Sequence, residues 1–196
     1  MKIVSIFLFS LILNLFTLAQ AHAQNFYQQN ISDNGYKFTV IQKDNYLIIK
    51  PLTFSIVNNV EKHDITNYTV RNVEICDLNN DNYPELIIFL TNKQGKVRII
   101  GYSSNNGKSM SRIYMPEIKL DGKINTGYIN GENMYVKNNV FTCIFPVYRH
   151  DKQDIQLTDT VRKIEYKLID GENGRILQPE KITQYTKEKT VLYNSL

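Results

Sequence analysis

The stretch "DLNNDNYPELIIFL", Asp77 to Leu90, puts short oxygen-bearing side chains at alternate positions: Asp77, Asn79 and Asp81, with Glu85 four residues later. Oxygens at the first, third, fifth and ninth positions of a tight loop, with the Tyr83 carbonyl at the seventh, suit calcium, which takes six to eight hard oxygen ligands. Asn82 stands where such a loop turns through the left-handed region, a conformation Asn tolerates. The same residues are also strong turn formers, because Asp and Asn side chains bond their own backbone. Both readings, calcium loop and plain turn, follow from the residue types.

Other reactive side chains are sparse. Cys76 and Cys143 can pair in an oxidising compartment, but a sequence does not place their Cα atoms within bonding range. With His63 and His150 they show no zinc-ligand spacing. Both histidines precede an aspartate, yet neither accompanies a Gly-x-Ser-x-Gly elbow, a phosphate-cradling glycine loop or a nucleophile paired with a base. The expectation is a protein that is not an enzyme. Residues 91–112 carry Lys93, Lys96, Arg98, Lys108 and Arg112 and no acid. Such a run serves as a solvated strand edge guarded by lysines, or as a surface that draws in an acidic partner. Tyrosine is abundant and tryptophan absent; alternating Tyr and Phe belong more often to a core than to a binding platform.

These residues need elements to hold them, and the elements read as strands. The chain has 196 residues, enough for one domain. Residues 1–23 read as a signal peptide: Lys2, an apolar centre, then "AHA" before Gln24. Cleavage between Ala23 and Gln24 delivers the product to the periplasm or the outside, with no cysteine there for lipid attachment. No later segment is apolar enough to span a membrane. The net charge of +4 drops by one when Lys2 leaves. That mild bias does not call for nucleic acid, which an exported chain rarely meets.

"YKFTVIQ" alternates, and in "VRKIEYKLI" Ile164, Tyr166 and Leu168 share one face while Lys163, Glu165 and Lys167 share the other. "PELIIFL" is apolar on both faces and reads as a central strand. Turn signals fall at 33–35, 105–107, 130–131, 138–139 and 170–174. "MYVKNNVFTCIFPVY" and "KLIDGENGRIL" each read as a hairpin. No segment beyond the signal shows helical periodicity, and no repeat of propeller-blade length appears. The expected fold is all-β, a single antiparallel sandwich. Residues 24–45 form an N-terminal extension and first strand, 46–186 the sandwich, and 187–196 a tail.

Four segments together resemble the periplasmic inhibitors of invertebrate-type lysozyme. "VRNVEICDLNNDNYPELIIFL" is similar to that family's "DLNGDGxPELYVYV". "GYSSNNGKSMSRIYMPEI" is similar to its strand, turn and "SPIYLP" element. "VFTCIFPVYRHDKQD" resembles its "LVRRFPIY" strand, and "RKIEYKLIDGENGRI" its "RQIQYKLVPGEAGW" hairpin. The likeness runs from Tyr46 to Tyr185 in order. It implies a β-sandwich, a lysozyme-type glycosidase as partner, and the Asp77 loop as a structural hallmark. It also implies an inhibitory loop after the "PELIIFL" strand, here Asn92, Lys93, Gln94, Gly95 and Lys96 within "TNKQGKVRIIGY". That loop is shorter than the family's Ser-Gly-Ser-x-x-Tyr element and keeps only its glycine. The alternative is an envelope binding module of the same fold, with or without calcium, that inhibits nothing. The signal-peptide reading predicts an exported product that begins at Gln24; N-terminal sequencing that starts at Met1, or a chain recovered only in membranes, would refute it.

Overall fold

The structure, a computed structural model, describes residues 26–186 apart from 33, 152 and 153. The expected signal peptide, its cleavage point and the 187–196 tail lie outside the described residues, as does the His150 side chain. Four strands form one sheet in sequence order: β1 (Phe26–Ile31), β2 (Lys37–Lys43), β3 (Tyr46–Pro51) and β4 (Glu61–Asp64). The next four are β5 (Tyr68–Cys76), β6 (Glu85–Asn92), β7 (Val97–Ser104) and β8 (Met110–Tyr114). The last four are β9 (Asn133–Lys137), β10 (Val140–Asp151), β11 (Asp154–Gly171) and β12 (Gly174–Thr186). These eight make a second sheet in the order β5-β6-β7-β8-β12-β11-β10-β9.

The fold is all-β, as the alternation predicts; the one helical piece among the described residues is a 3-10 turn at Ile118–Leu120. The larger sheet is not purely antiparallel. β12 runs parallel to β8, with Arg175 opposite Ile113 and Ile176 opposite Tyr114. The parallel junction arises because the long connection 115–132 and the β9-β10-β11 meander bring the chain back before β12 reaches β8. No described helix is long and apolar enough to cross a membrane.

β6 lies between β5 and β7, and six successive side chains from Glu85 to Leu90 are buried. Successive strand residues point to opposite faces, so β6 feeds two cores. Leu86, Ile88 and Leu90 meet Phe38, Val40, Leu47 and Ile49 of the four-stranded sheet. Ile87 and Phe89 meet Phe141, Cys143, Ile164 and Leu177 of the same large sheet, which curls back over them. The curl is nearly barrel-like, and side chains bridge its outer strands. β5 has a bulge at Arg71 between Val70 and Asn72. An extra residue of this kind re-aims a side chain, and the Arg71 guanidinium donates to the Met134 carbonyl of β9 at 2.6 Å and to Asn133 Oδ1 at 3.2 Å.

Turn chemistry sets the registers. Asn138 and Asn139 have φ of 51° and 59°, the two left-handed residues of a type I′ turn, with Lys137 opposite Val140. Between β7 and β8, Gly107 has φ of 69°, and a Cβ there would lie 2.0 Å from the Tyr36 hydroxyl. That close approach brings the β7–β8 turn against the smaller sheet, where the Ser55 amide donates to the Gly107 carbonyl. Among the described residues the Tyr166 hydroxyl is the one buried side-chain polar atom without a partner, and nothing in the structure explains it.

Phe89 is 1% exposed and stacks on Phe141 with ring centroids 6.2 Å apart. Replacing it by Ala removes that contact and leaves a cavity, so Phe89→Ala should cost about 3–5 kcal/mol. Leu120, which is 78% exposed, should cost no more than about 0.5 kcal/mol on the same change. Urea denaturation of the two variants checks the contrast; equal losses would mean that β6 is not the shared wall of two cores.

Candidate functional site

The Asp77 loop joins β5 to β6 as a hairpin connection, and its oxygens turn inward on its own backbone. Asp77 accepts the amides of Asp81 at 3.0 Å and Asn82 at 3.0 Å, one on each carboxylate oxygen. Asn79 accepts the Asp81 amide at 3.3 Å and donates to Asp81 Oδ2 at 2.7 Å. Asp81 Oδ1 accepts the Tyr83 amide at 2.8 Å. Asn80 and Asn82 take φ of 57° and 65°, so the left-handed turn expected at Asn82 is present. Among the described residues no group of three or more His, Cys, Asp or Glu gathers as metal ligands. These bonds are those of a tight Asx-type turn, and each oxygen that accepts an amide keeps a second lone pair.

Glu85, read as the last calcium ligand, has no exposed surface. It sits on the Ile87–Phe89 face of β6. Its Oε2 accepts the Leu78 amide at 2.6 Å and its Oε1 accepts the Ser103 hydroxyl at 2.7 Å. Burial raises its pKa to about 7, against the lowering effect of those two bonds, and the negative charges of Asp81 and Asp77 add to the rise. The loop also meets its surroundings. The Asp77 amide donates to Asn139 Oδ1 at 3.2 Å, and the Tyr83 ring lies edge-on to Tyr36 at 6.1 Å. One turn therefore ties the smaller sheet, β5–β6 and the β9–β10 hairpin together.

Cys76 and Cys143 are two free, buried thiols, so the disulfide left open by the sequence is not formed. In the sheet order β9 lies beside β10, and Cys143 stands opposite Met134 and Ile164 while Cys76 stands opposite Glu85. Neither thiol has the other as a strand neighbour. Burial pushes Cys76 far up, and Cys143 to about 12, so both behave as apolar side chains.

His63, one of the two histidines beside an acid, is 9% exposed and joins the two sheets. Its Nε2 lies 2.7 Å from the Tyr102 hydroxyl, and Arg112 Nη2 lies 3.4 Å from its Nδ1. With Arg112 donating to Nδ1, the proton belongs on Nε2, which donates to Tyr102; Tyr102 donates to Glu61 at 3.2 Å. Burial first, then the Arg112 charge, pull the His63 pKa down. Every member of this chain is spent on another, which makes it a clasp between β4 and β7–β8.

The predicted inhibitory loop is the β6–β7 turn. Lys93, Gln94, Gly95 and Lys96 are all exposed. Asn92 holds the turn from below: its Oδ1 accepts the amides of Gln94 at 3.0 Å and Lys96 at 2.8 Å. Gly95 has φ of 77° and open space around it. Neither Lys93 nor Lys96 joins an ion pair among the described residues. Arg98 and Arg112 from the same basic run are engaged locally, the first 5.9 Å from the Tyr68 ring centroid and the second at His63.

Beside this turn opens a groove of about 900 Å³. Its walls are the start of β7, the end of β8, Met134 of β9 and the 115–132 connection. Glu132 lines it, is 7% exposed, and accepts a hydrogen bond from the Tyr128 hydroxyl at 2.9 Å. Sequence reasoning did not find this site. The 115–132 segment alternates in no period, and a lone Glu before a strand signals nothing.

The chain matches no protein-family model, no curated protein and no solved structure. The likeness to the lysozyme inhibitors therefore rests on the four quoted segments.

Glu85 gives a pH prediction. Its folded pKa of about 7 exceeds the ordinary carboxylate value, so its contribution is present below about pH 4.5 and is lost as pH rises through 7. The loss is on the order of 3 kcal/mol. Glu85→Gln keeps the shape and cannot ionise. His63, whose lowered pKa costs stability as pH falls below about 6.5, is common to both proteins and cancels in the difference. Urea melts from pH 5 to 8 should show the variant gaining on the parent as pH rises; parallel curves would place the Glu85 carboxyl in water.

Proposed function

We propose that the protein is an exported β-domain that blocks a lysozyme-type glycosidase, with the β6–β7 turn as the inserted element. The observation that carries this reading is the turn itself. It projects four exposed residues, its backbone is pinned by Asn92, and it bears two lysines without ion partners. A pinned tip loses less conformational freedom on binding than a free loop, which favours affinity. A lysozyme-type cleft holds two carboxylates flanking the scissile bond. Lys93 or Lys96 meets one of them, and Gln94 supplies amide donors beside it. Taking both charges out of water costs energy, so the pair adds affinity only with good geometry. The lysines also raise the encounter rate with an acidic cleft.

The second reading is a non-inhibitory envelope binding module. The groove beside the turn favours it, because a cavity of about 900 Å³ falls in the range of small-molecule sites. A calcium ion at the Asp77 loop would stabilise such a module without taking part in binding, and melting curves with calcium and with chelator test for it.

Inhibition assays against lysozymes of each structural type, with a pull-down of the same enzymes, separate the two. Lys93→Ala combined with Lys96→Ala should weaken inhibition by roughly 2–5 kcal/mol, at least about thirtyfold. Lys108→Ala, in the β7–β8 turn at the opposite end of β7, should change it little. An inhibition constant that stays the same in the double variant removes the turn from the mechanism. A parent protein that binds no lysozyme favours the binding module.

A further inference from the structure

The groove beside the turn holds a feature that the inhibitor reading does not use. Its floor is apolar: Ile99, Ile113, Met115 and Met134 line it. Two carboxylates line the groove, Glu117, which is exposed, and Glu132, which alone is more than nine-tenths buried. Tyr128 donates to Oε2. The other oxygen has no hydrogen-bond partner among the described residues and is not fully sealed, the Tyr166 hydroxyl being the one such atom, and Glu132 lines the groove. No Lys, Arg or His nitrogen among the described residues forms an ion pair with Glu132.

Burying a carboxylate beside apolar side chains with no direct ion pair is costly. A ligand that brings its own positive charge recovers the cost, and an apolar body recovers more by leaving water. Tyr128 adds an aromatic face for a cation, and the two methionines adapt to an irregular body.

We infer that this groove is a binding site for a small organic cation, an ammonium head on Glu132 with an apolar or aromatic body along Ile99, Ile113, Met115 and Met134. The inference is independent of the turn's role against a glycosidase. The mouth carries the exposed cations Lys96, Arg98 and Lys119 and the exposed anion Glu117, charges that solvent screens. If the mouth and not the floor set the selectivity, an anion would bind better than a cation.

Three matched probes decide between them: 4-phenylbutylamine, 4-phenylbutanol and 4-phenylbutyrate, titrated into the parent protein while the methionine methyl resonances are followed. The amine should shift the Met115 and Met134 signals with sub-millimolar affinity, at least tenfold tighter than the alcohol and more so than the acid. Glu132→Gln should reduce the amine to the affinity of the alcohol. Tyr128→Phe, which keeps the ring and removes the hydrogen bond, should weaken the amine alone; thermal melts show that each variant is folded. Should Glu132→Gln not fold, Tyr128→Phe and the probe ranking still decide. Equal binding of amine and alcohol, tighter binding of the acid, or no methyl shift at millimolar amine would each overturn the assignment.

Discussion

A strand with apolar side chains on both faces is stable only when both faces are covered. β6 imposes that condition on everything around it. Leu86, Ile88 and Leu90 need one layer, and the four-stranded sheet supplies it. Ile87 and Phe89 need another, and the larger sheet supplies it by curling until β10 and β11 lie over β6. The near-barrel is thus a consequence of one segment's composition, and the two cores share a wall only one strand thick.

The curl leaves two places where backbone and polar groups need special provision. Between β5 and β9, the bulge at Arg71 sends a guanidinium across to the Met134 carbonyl, capping a strand edge that the sheet does not pair. At the start of β6, Glu85 occupies a position on the core-facing side. Its carboxyl is tolerated because the Leu78 amide and the Ser103 hydroxyl meet it, and the cost of burial appears as a raised pKa. The Asp77 loop above it contacts three parts of the chain, so its tight internal bonding serves the assembly of both sheets.

At the far end the 115–132 connection folds over the curl without joining the sheet, and the groove lies between it, the β6–β7 turn and the adjoining parts of β7 and β8. Arg162 fastens this connection, donating to the carbonyls of Ile124 at 2.7 Å and Thr126 at 2.8 Å. The exposed β6–β7 turn and the groove are neighbours because both lie at this end. A sheet presents both at one end, on connecting segments at its surface.

Much of this fold is legible residue by residue. The alternation of Ile164, Tyr166 and Leu168 names a half-buried strand, the apolar run of β6 a central one, and Asn138-Asn139 a two-residue turn, because each depends on local backbone preference and side-chain period. The loop at Asn92–Lys96 is legible only through the resemblance, which places a loop after the β6 segment. What stays hidden depends on partners distant in sequence. The parallel seam between β8 and β12 needs the long connection to bring the chain back. The free thiols follow from which strands become neighbours, and the burial of Glu85 from the strands that close over it. The groove at Glu132 exists only because Tyr128, Met134 and Ile113 converge from separate elements, a convergence that no spacing along the chain encodes.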